Sequence, residues 1–172
     1  MILRQTAMCG TWPFLLIICF LFPANVTTIN EHCQHRFSWW RRYRDSEYAV
    51  WCSSKTAEHG DAERKCRVYE GKLASIHSDE ENKFVHGLVR QYARGQGYAW
   101  IGLRTRGHDW SWSDGTPFRY HHLANSQPHE PGYCVVVTRE SEDWSGLRCY
   151  NSSVHAAVCK RKYNGTRGQD EK

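Results

Sequence analysis

Three kinds of pattern are missing from this 172-residue sequence. No apolar run approaches the roughly 20 residues that a membrane-spanning helix needs, because the longest, residues 14–22, stands between Pro13 and Pro23. No long basic stretch and no zinc-ligand spacing occur, so we expect neither a nucleic-acid partner nor a zinc finger. No nucleophile has an evident base or lies in a strained nucleophile turn, so we expect no enzyme activity.

The amino terminus has the layout of a secretory signal peptide. One basic residue, Arg4, precedes the apolar run, and Pro23 and Ala24 close it. We predict that residues 1–26 are a signal peptide, cleaved between Ala24 and Thr28, and that the chain is secreted. No membrane span is expected after its removal. The alternative is an uncleaved membrane anchor, which the shortness of the apolar run disfavours.

The cysteine content is that of an exported, disulfide-bonded chain. Of the eight cysteines, Cys9 and Cys19 lie in the predicted signal peptide, which leaves an even number in the mature chain. An even number in an oxidising compartment predicts disulfides. The cysteines that remain are Cys33, Cys52, Cys66, Cys134, Cys149 and Cys159.

Charge and glycosylation signals add little about the ligand. The net charge of +5 is a mild excess that favours solubility or weak attraction to an anionic partner. Three N-x-S/T triplets, at Asn25, Asn151 and Asn164, predict glycosylation, which agrees with export.

Hydrophobic spacing predicts two helices. The first spans residues 57–69 and turns Cys66 toward the interior. The second begins after Ser78, which together with Glu81 forms a capping box, and it ends near Gly95 or Gly97.

Short strands flank these helices. A strand of alternating pattern precedes them at residues 47–52, and the later ones fall at 98–103, 110–112, 133–138, 144–149 and 155–159. Gly102, inside an apolar strand, indicates a close backbone approach. Two helices ahead of several short antiparallel strands predict an α+β domain. We assign residues 27–46 to an amino-terminal extension with Cys33, 47–162 to the domain, and 163–172 to a disordered tail.

Two segments carry groups that suit ligands. Residues 118–132 form a long polar stretch with little periodicity, and long loops of this kind are usually functional or disordered. The loop contains three histidines, His121, His122 and His129, and His108 lies nearby in the sequence. These histidines either form a metal site or belong to a solvated polar loop, and we favour the solvated loop. Residues 39–44 alternate aromatic and cationic groups, so they either grip a sulfated glycan, through Arg41 and Arg42, or pack as a hairpin.

Over roughly residues 48–160 the chain resembles the C-type lectin-like domain family. The resemblance is carried by the helix cysteine Cys66, by residues 71–76, 100–103 and 112–115, and by three carboxyl-side cysteines at family spacing. It implies a C-type lectin-like fold with disulfides Cys66–Cys159 and Cys134–Cys149. It also implies that Cys33 pairs with Cys52, as in long-form members.

The resemblance also implies where a calcium site would be. Sugar-binding members hold calcium with a Glu or Gln, an Asn or Asp beyond a proline, a Glu two residues before a cysteine, and an Asn–Asp pair after a tryptophan. The corresponding residues here are Gln127, Pro128, His129, Gly132, Ser145 and Gly146. Only Gln127 keeps an oxygen ligand, whereas calcium takes six to eight oxygens. Glu130 adds at most one carboxylate, so we expect no calcium cofactor.

We therefore predict a secreted recognition module that binds a protein or an anionic glycan, including a sulfated one, without calcium. The expected binding residues lie in the long loop and near the tryptophan that follows it: Gln127, His129, Glu130, Trp144 and Ser145. One alternative is a carbohydrate-binding lectin with weak or atypical calcium dependence. Another is a matrix or venom-type assembly subunit, which the lack of a spare cysteine disfavours.

Overall fold

The structure, a computed structural model, describes residues 36–93, 97–124, 130–151 and 153–165. It has an α+β fold with one nine-stranded sheet and two helices. The helices are α1 (His59–Val68) and α2 (Asp79–Tyr92). The strands are β1 (Arg36–Phe37), β2 (Arg41–Tyr43), β3 (Ser46–Cys52), β4 (Lys72–Leu73), β5 (Tyr98–Arg106), β6 (Asp109–Trp112), β7 (Tyr133–Thr138), β8 (Trp144–Arg148) and β9 (Ala156–Lys162). Among the described helices, neither is long and apolar enough to cross a membrane.

The sheet joins the two ends of the domain. Its strand order is β1-β3-β9-β5-β7-β8, with β2 added to β3, β4 to β9 and β6 to β5. Strands β3 and β9 pair antiparallel over the whole length of β3, from Ser46 opposite Lys162 to Cys52 opposite Ala156. Strand β5 runs parallel to β9, with Ala99 opposite Ala156. The long polar loop at residues 118–132 therefore joins strands of a sheet that long-range pairing holds together.

Strand β3 is buried more completely than its alternating sequence predicts. All residues from Glu47 to Cys52 are buried, not every second one. The reason is that the sheet is covered on both faces. Tyr48 packs in one cluster with Val85 of α2, and Trp51 packs in a second cluster with Ala62 of α1. A strand between two covered faces has no solvent side on which polar residues are favoured.

Helix α2 begins as predicted and ends earlier. The Ser78 hydroxyl accepts from the Glu81 N–H at 3.2 Å, which confirms Ser78 as the N-cap. The Glu81 carboxylate reaches back one residue further than in a standard capping box, because it accepts from the His77 N–H at 2.9 Å. The helix ends at Tyr92 and not near Gly95 or Gly97, because Ala93, the C-cap, has φ −91° and ψ 43°, outside the helical range, while its N–H still donates to the Val89 carbonyl.

The predicted close approach at Gly102 is confirmed. A Cβ added there would lie only 2.8 Å from the Leu73 carbonyl oxygen, and the Gly102 N–H donates to the Ala74 carbonyl at 2.9 Å. Any larger residue at this position would separate β5 from the segment that follows β4.

Two disulfides tie the helices and strands, and they are the pairs that the resemblance implied. Cys66–Cys159 joins α1 to β9, and Cys134–Cys149 joins β7 to the end of β8. Cys52 is also disulfide-bonded. Cys33, its predicted partner, lies outside the described residues, as do the whole predicted signal peptide and the Asn25 glycosylation site.

Residues 39–44 lie in a hairpin that strand β2 forms with β3, as the second alternative predicts, and several of its side chains pack on the domain. The guanidinium carbon of Arg161 lies 4.1 Å from the Trp40 ring centroid, and Arg41 Nη2 donates to the Tyr92 hydroxyl at 2.9 Å. The guanidinium carbon of Arg42 lies 3.7 Å from the ring centroid of Tyr163, and the Tyr163 N–H donates to the Asp45 carbonyl. Ordered contacts thus include Tyr163, the first residue of the predicted tail.

Candidate functional site

The long polar loop starts along the outer edge of strand β8. The Trp144 N–H donates to the His122 carbonyl at 2.8 Å, and the Ala124 N–H donates to the Trp144 carbonyl at 3.1 Å. Leu123 therefore pairs with Trp144 in parallel. The predicted binding residues Gln127 and His129 lie outside the described residues.

Trp144 occupies a different place from the one predicted. Its side chain is fully buried, and its indole Nε1 donates to Asn82 Oδ1 of helix α2 at 2.7 Å. Its ring meets those of Trp112 and Tyr120 edge to face, with centroids 5.6 Å and 5.8 Å away. Trp144 therefore packs beneath the start of the loop, and its side chain exposes no surface in this structure.

The bond between Asn82 and Trp144 predicts a stability effect. We expect Asn82→Ala to lower the free energy of unfolding by about 1–3 kcal/mol, because the buried indole N–H loses its acceptor. Urea unfolding measures the change. Trp144→Phe and the double variant complete a double-mutant cycle, which should give a coupling of roughly 1 kcal/mol. Strictly additive losses would contradict the assigned hydrogen bond.

Histidine and carboxylate side chains anchor the first part of the loop. His122 Nδ1 lies 3.4 Å from Asp143 Oδ1 and its Nε2 lies 3.7 Å from Asp79 Oδ1, which also accepts from the Tyr120 hydroxyl at 2.9 Å. His121 packs beside Phe118 instead, so the two histidines diverge. Within the described ranges no group of three His, Cys, Asp or Glu side chains is placed to hold a metal ion. The contacts tie the loop to α2 and to the β7–β8 turn.

Ser145 does not share a site with Trp144. It lies on β8 opposite Val136, whereas Trp144 lies opposite Val137. Successive strand residues point to opposite faces, so Ser145 faces away from the side that carries the Trp144 ring. The predicted grouping of the two residues does not hold.

The far end of the loop carries an arginine-centred cluster. Arg148 Nη2 lies 3.5 Å from Glu130 Oε2, and Arg148 Nη1 donates to the Pro131 carbonyl at 3.3 Å. The guanidinium carbon lies 4.2 Å from the ring centroid of Tyr133, which is paired with Arg148 across β7 and β8. Gly132, which lies between Pro131 and Tyr133 in the chain, has a φ of +90°. The only described loop carboxylate near this end is therefore already paired with a cation.

This combination of two helices, a mixed sheet and two disulfides is shared with known proteins. The family model for the lectin C-type domain matches residues 53–161. The chain belongs to the C-type lectin domain family. Members of this family are in general not enzymes.

Relatives of this C-type lectin domain include both receptors and single-domain proteins. The human C-type mannose receptor 2 is 30% identical over 128 residues, which is 71% of this chain but only 8% of the receptor. The structure of human lithostathine is 27% identical, with a TM-score of 0.61, and the match covers 72% of this chain and 97% of that one. The structure of a calcium-independent type II antifreeze protein is 26% identical, with a TM-score of 0.59 and coverage of 75% and 98%.

The described residues at the family's calcium-ligand positions offer few oxygen side chains. Where the family has a Glu before the cysteine, Gly132 has a backbone conformation that costs other L-residues roughly 1–2 kcal/mol. Ser145 and Gly146 stand where the family has the Asn–Asp pair, so one hydroxyl replaces an amide and a carboxylate. Glu130 pairs with Arg148. A hard cation needs several converging anionic oxygens, which these residues do not supply.

Arg148 was missed by sequence reasoning. A signal for it exists, since Tyr133 and Arg148 each precede a cysteine of the Cys134–Cys149 disulfide, and a disulfide brings the neighbours of both cysteines together.

The remaining glycosylation sites stay predictions. Asn164 is exposed, and Asn151 Oδ1 accepts from the Ser153 N–H at 2.8 Å.

Proposed function

We propose that this chain is a secreted recognition domain that binds a protein or an anionic glycan without calcium. The observation that carries the proposal is the placement of the Arg148 guanidinium between Glu130 and the Tyr133 ring. The Arg148 guanidinium thus supplies positive charge near the position where sugar-binding members of the family hold a calcium ion. The Arg148 side chain is 43% exposed, so the guanidinium N–H groups that Glu130 and Pro131 do not occupy can donate hydrogen bonds to an anionic ligand.

The competition between Arg148 and calcium can be given a magnitude. Two unit charges about 4 Å apart near a protein surface interact by about 4 kcal/mol, and a divalent ion doubles that repulsion. A cation bound to the Glu130 carboxylate would meet the guanidinium at comparable range, with a single carboxylate to offset it. The repulsion therefore offsets much of the attraction that one exposed carboxylate provides, and it leaves little free energy to dehydrate the ion.

The comparisons support parts of the proposal. A structural relative is named a calcium-independent type II antifreeze protein, so a protein with this fold can function without calcium. Another relative is named a mannose receptor, which keeps a neutral sugar as the alternative ligand class. Because the chain covers 8% of that receptor, its ligand is not transferred.

Secretion is supported by the disulfides. Bridges such as Cys66–Cys159 and Cys134–Cys149 persist in oxidising compartments, in agreement with a predicted signal peptide at residues 1–26.

Calcium titration and a glycan array test the function. We expect titration calorimetry with millimolar calcium to give no binding heat, and array binding to be unchanged by a chelator. Arg148→Gln is the informative variant, because it removes the competing cation while Gly132, Ser145 and Gly146 still supply no carboxylate. It should remain calcium-free. Binding of a neutral monosaccharide that disappears with chelator would contradict the proposal and favour the lectin alternative.

A further inference from the structure

A pocket of about 360 Å³ lies between helix α1 and the end of strand β5. Its wall includes Glu63, Arg64 and Arg67 of α1, together with Arg104 of β5 and Ser113. The helix residues lie three and four positions apart, so they share one face of α1. Neither Arg148 nor any described residue of the loop, at 118–124 or 130–132, lines this pocket.

The rim of the pocket is cationic. The side chain of Arg104 is exposed and forms neither an ion pair nor a hydrogen bond with any residue in the described part of the chain. Arg67 Nη2 lies 3.6 Å from Glu63 Oε1 and is largely exposed, and Arg64 pairs with Asp61 outside the pocket. With Arg64 paired outside the pocket, two guanidinium groups, those of Arg67 and Arg104, remain against one lining carboxylate.

The base of the pocket presents an acceptor without a donor. Glu63 Oε2 accepts from the Leu73 N–H at 3.2 Å and from the Ser113 hydroxyl at 3.3 Å. Glu63 Oε1 is buried and receives no hydrogen bond from the described residues, and its ion pair with Arg67 is longer than a hydrogen bond. A buried acceptor of this kind costs free energy unless a ligand or water donates to it.

His59 closes the pocket without adding charge. It is buried, its Nε2 lies 3.0 Å from the Ile101 carbonyl oxygen, and its ring packs edge to face on Trp100. Burial lowers the pKa of His59 to about 4, with a smaller contribution from the Arg104 charge, so the imidazole is neutral at physiological pH. The positive charge of the pocket therefore comes from arginine alone.

We infer that this pocket binds one acidic sugar unit of a glycan. Its anionic group pairs with Arg104 and draws the exposed Arg67 side chain away from Glu63, and a ring hydroxyl then donates to the uncovered Glu63 Oε1. The inference rests on the proposed function and adds to it a site and a ligand class. Guanidinium forks match carboxylate and sulfate groups, which accept two parallel hydrogen bonds. An acidic peptide side chain or a free anion satisfies the arginines but brings no hydroxyl for Glu63, which is why a sugar fits better.

The test uses two defined probes in the presence of chelator. A heparin tetrasaccharide carries sulfate and carboxylate, and a hyaluronan tetrasaccharide carries carboxylate alone, so together they tell which anion Arg104 accepts. We expect calorimetry to detect binding of at least one probe. Arg104→Gln should weaken it about tenfold or more, and Arg90→Gln, an exposed arginine of α2, should leave it within twofold.

The outcomes separate this inference from the proposed function. Equal weakening by Arg104→Gln and Arg90→Gln would show non-specific charge attraction and overturn the pocket, as would binding of neither probe. In both cases the chelator experiment still decides the calcium question by itself. Inorganic sulfate that competes as strongly as the tetrasaccharide would also overturn the inference, because it would show that no hydroxyl contact to Glu63 is used. Unchanged thermal unfolding of Arg104→Gln establishes that the variant is folded.

Discussion

Lys160→Met is expected to lower the free energy of unfolding by about 3–5 kcal/mol at neutral pH. Lys160 Nζ donates to Glu81 Oε1 at 2.8 Å and to the Ser75 carbonyl at 2.9 Å. Glu81 is 7% exposed, and its other contacts are the Tyr48 hydroxyl and the His77 N–H. Without the ammonium group, a buried carboxylate would lose its only counter-charge among these contacts.

The pH dependence of this loss has a definite sign. Burial raises the pKa of Glu81, but the hydrogen bonds from Lys160 and Tyr48 outweigh burial, and the pKa lies below its usual value of 4.5. In the native protein this stabilisation is present above the unfolded pKa and is lost as pH falls through the folded pKa. In Lys160→Met, burial dominates and raises the pKa, so acid favours the folded variant. The difference in stability should therefore shrink between pH 7 and pH 4.

Denaturant unfolding at both pH values measures the effect. The double variant Lys160→Met/Glu81→Gln is the control, because a neutral amide keeps an acceptor for Tyr48 without a buried charge. It should recover most of the lost stability. A loss below about 1 kcal/mol for Lys160→Met would contradict the interpretation, since that is the size expected of an exposed ion pair.

Removing the Cys66–Cys159 disulfide by a double alanine substitution is expected to cost about 4–5 kcal/mol, in the chain-entropy model. The bridge spans 93 positions and both cysteines are fully buried, so the unfolded chain loses a long closed loop. A domain of this size typically has only about 5–15 kcal/mol of stability, so the variant should be marginal at 37 °C.

The shorter disulfide provides the matched comparison. Cys134–Cys149 closes 15 positions, for which the same model gives about 3 kcal/mol. Thermal and urea unfolding of both double-alanine variants should therefore rank the long bridge as the larger loss. The reverse order would show that local packing around β7 and β8, and not loop entropy, decides the contribution of each bridge.

Local pattern predicted most of the elements because each has a local cause. The Ser78 cap and the strand Tyr133–Thr138 are in the structure as expected, and so are the two disulfides that the family resemblance implied. The end of α2 differs, because the backbone of Ala93 leaves the helical conformation before either of the glycines that the sequence offers as a stop. Trp144 differs for a similar reason, because an aromatic beside a loop suits a core and a binding surface equally well until its partner Asn82 is known.

By itself, the sequence determined the family, because the motifs that carry the resemblance are residue identities at fixed spacing, and the resemblance in turn implied the two described disulfides. Only the tertiary structure decided where charge is available for a ligand. It placed Arg148 beside Glu130, and it brought Arg104 to the same pocket as Glu63, which is distant in the chain. The periodicity of a sequence predicts which face of one helix or strand is polar. It does not predict which other helix or strand packs against that face, because this depends on long-range pairing of strands such as β3, β5 and β9.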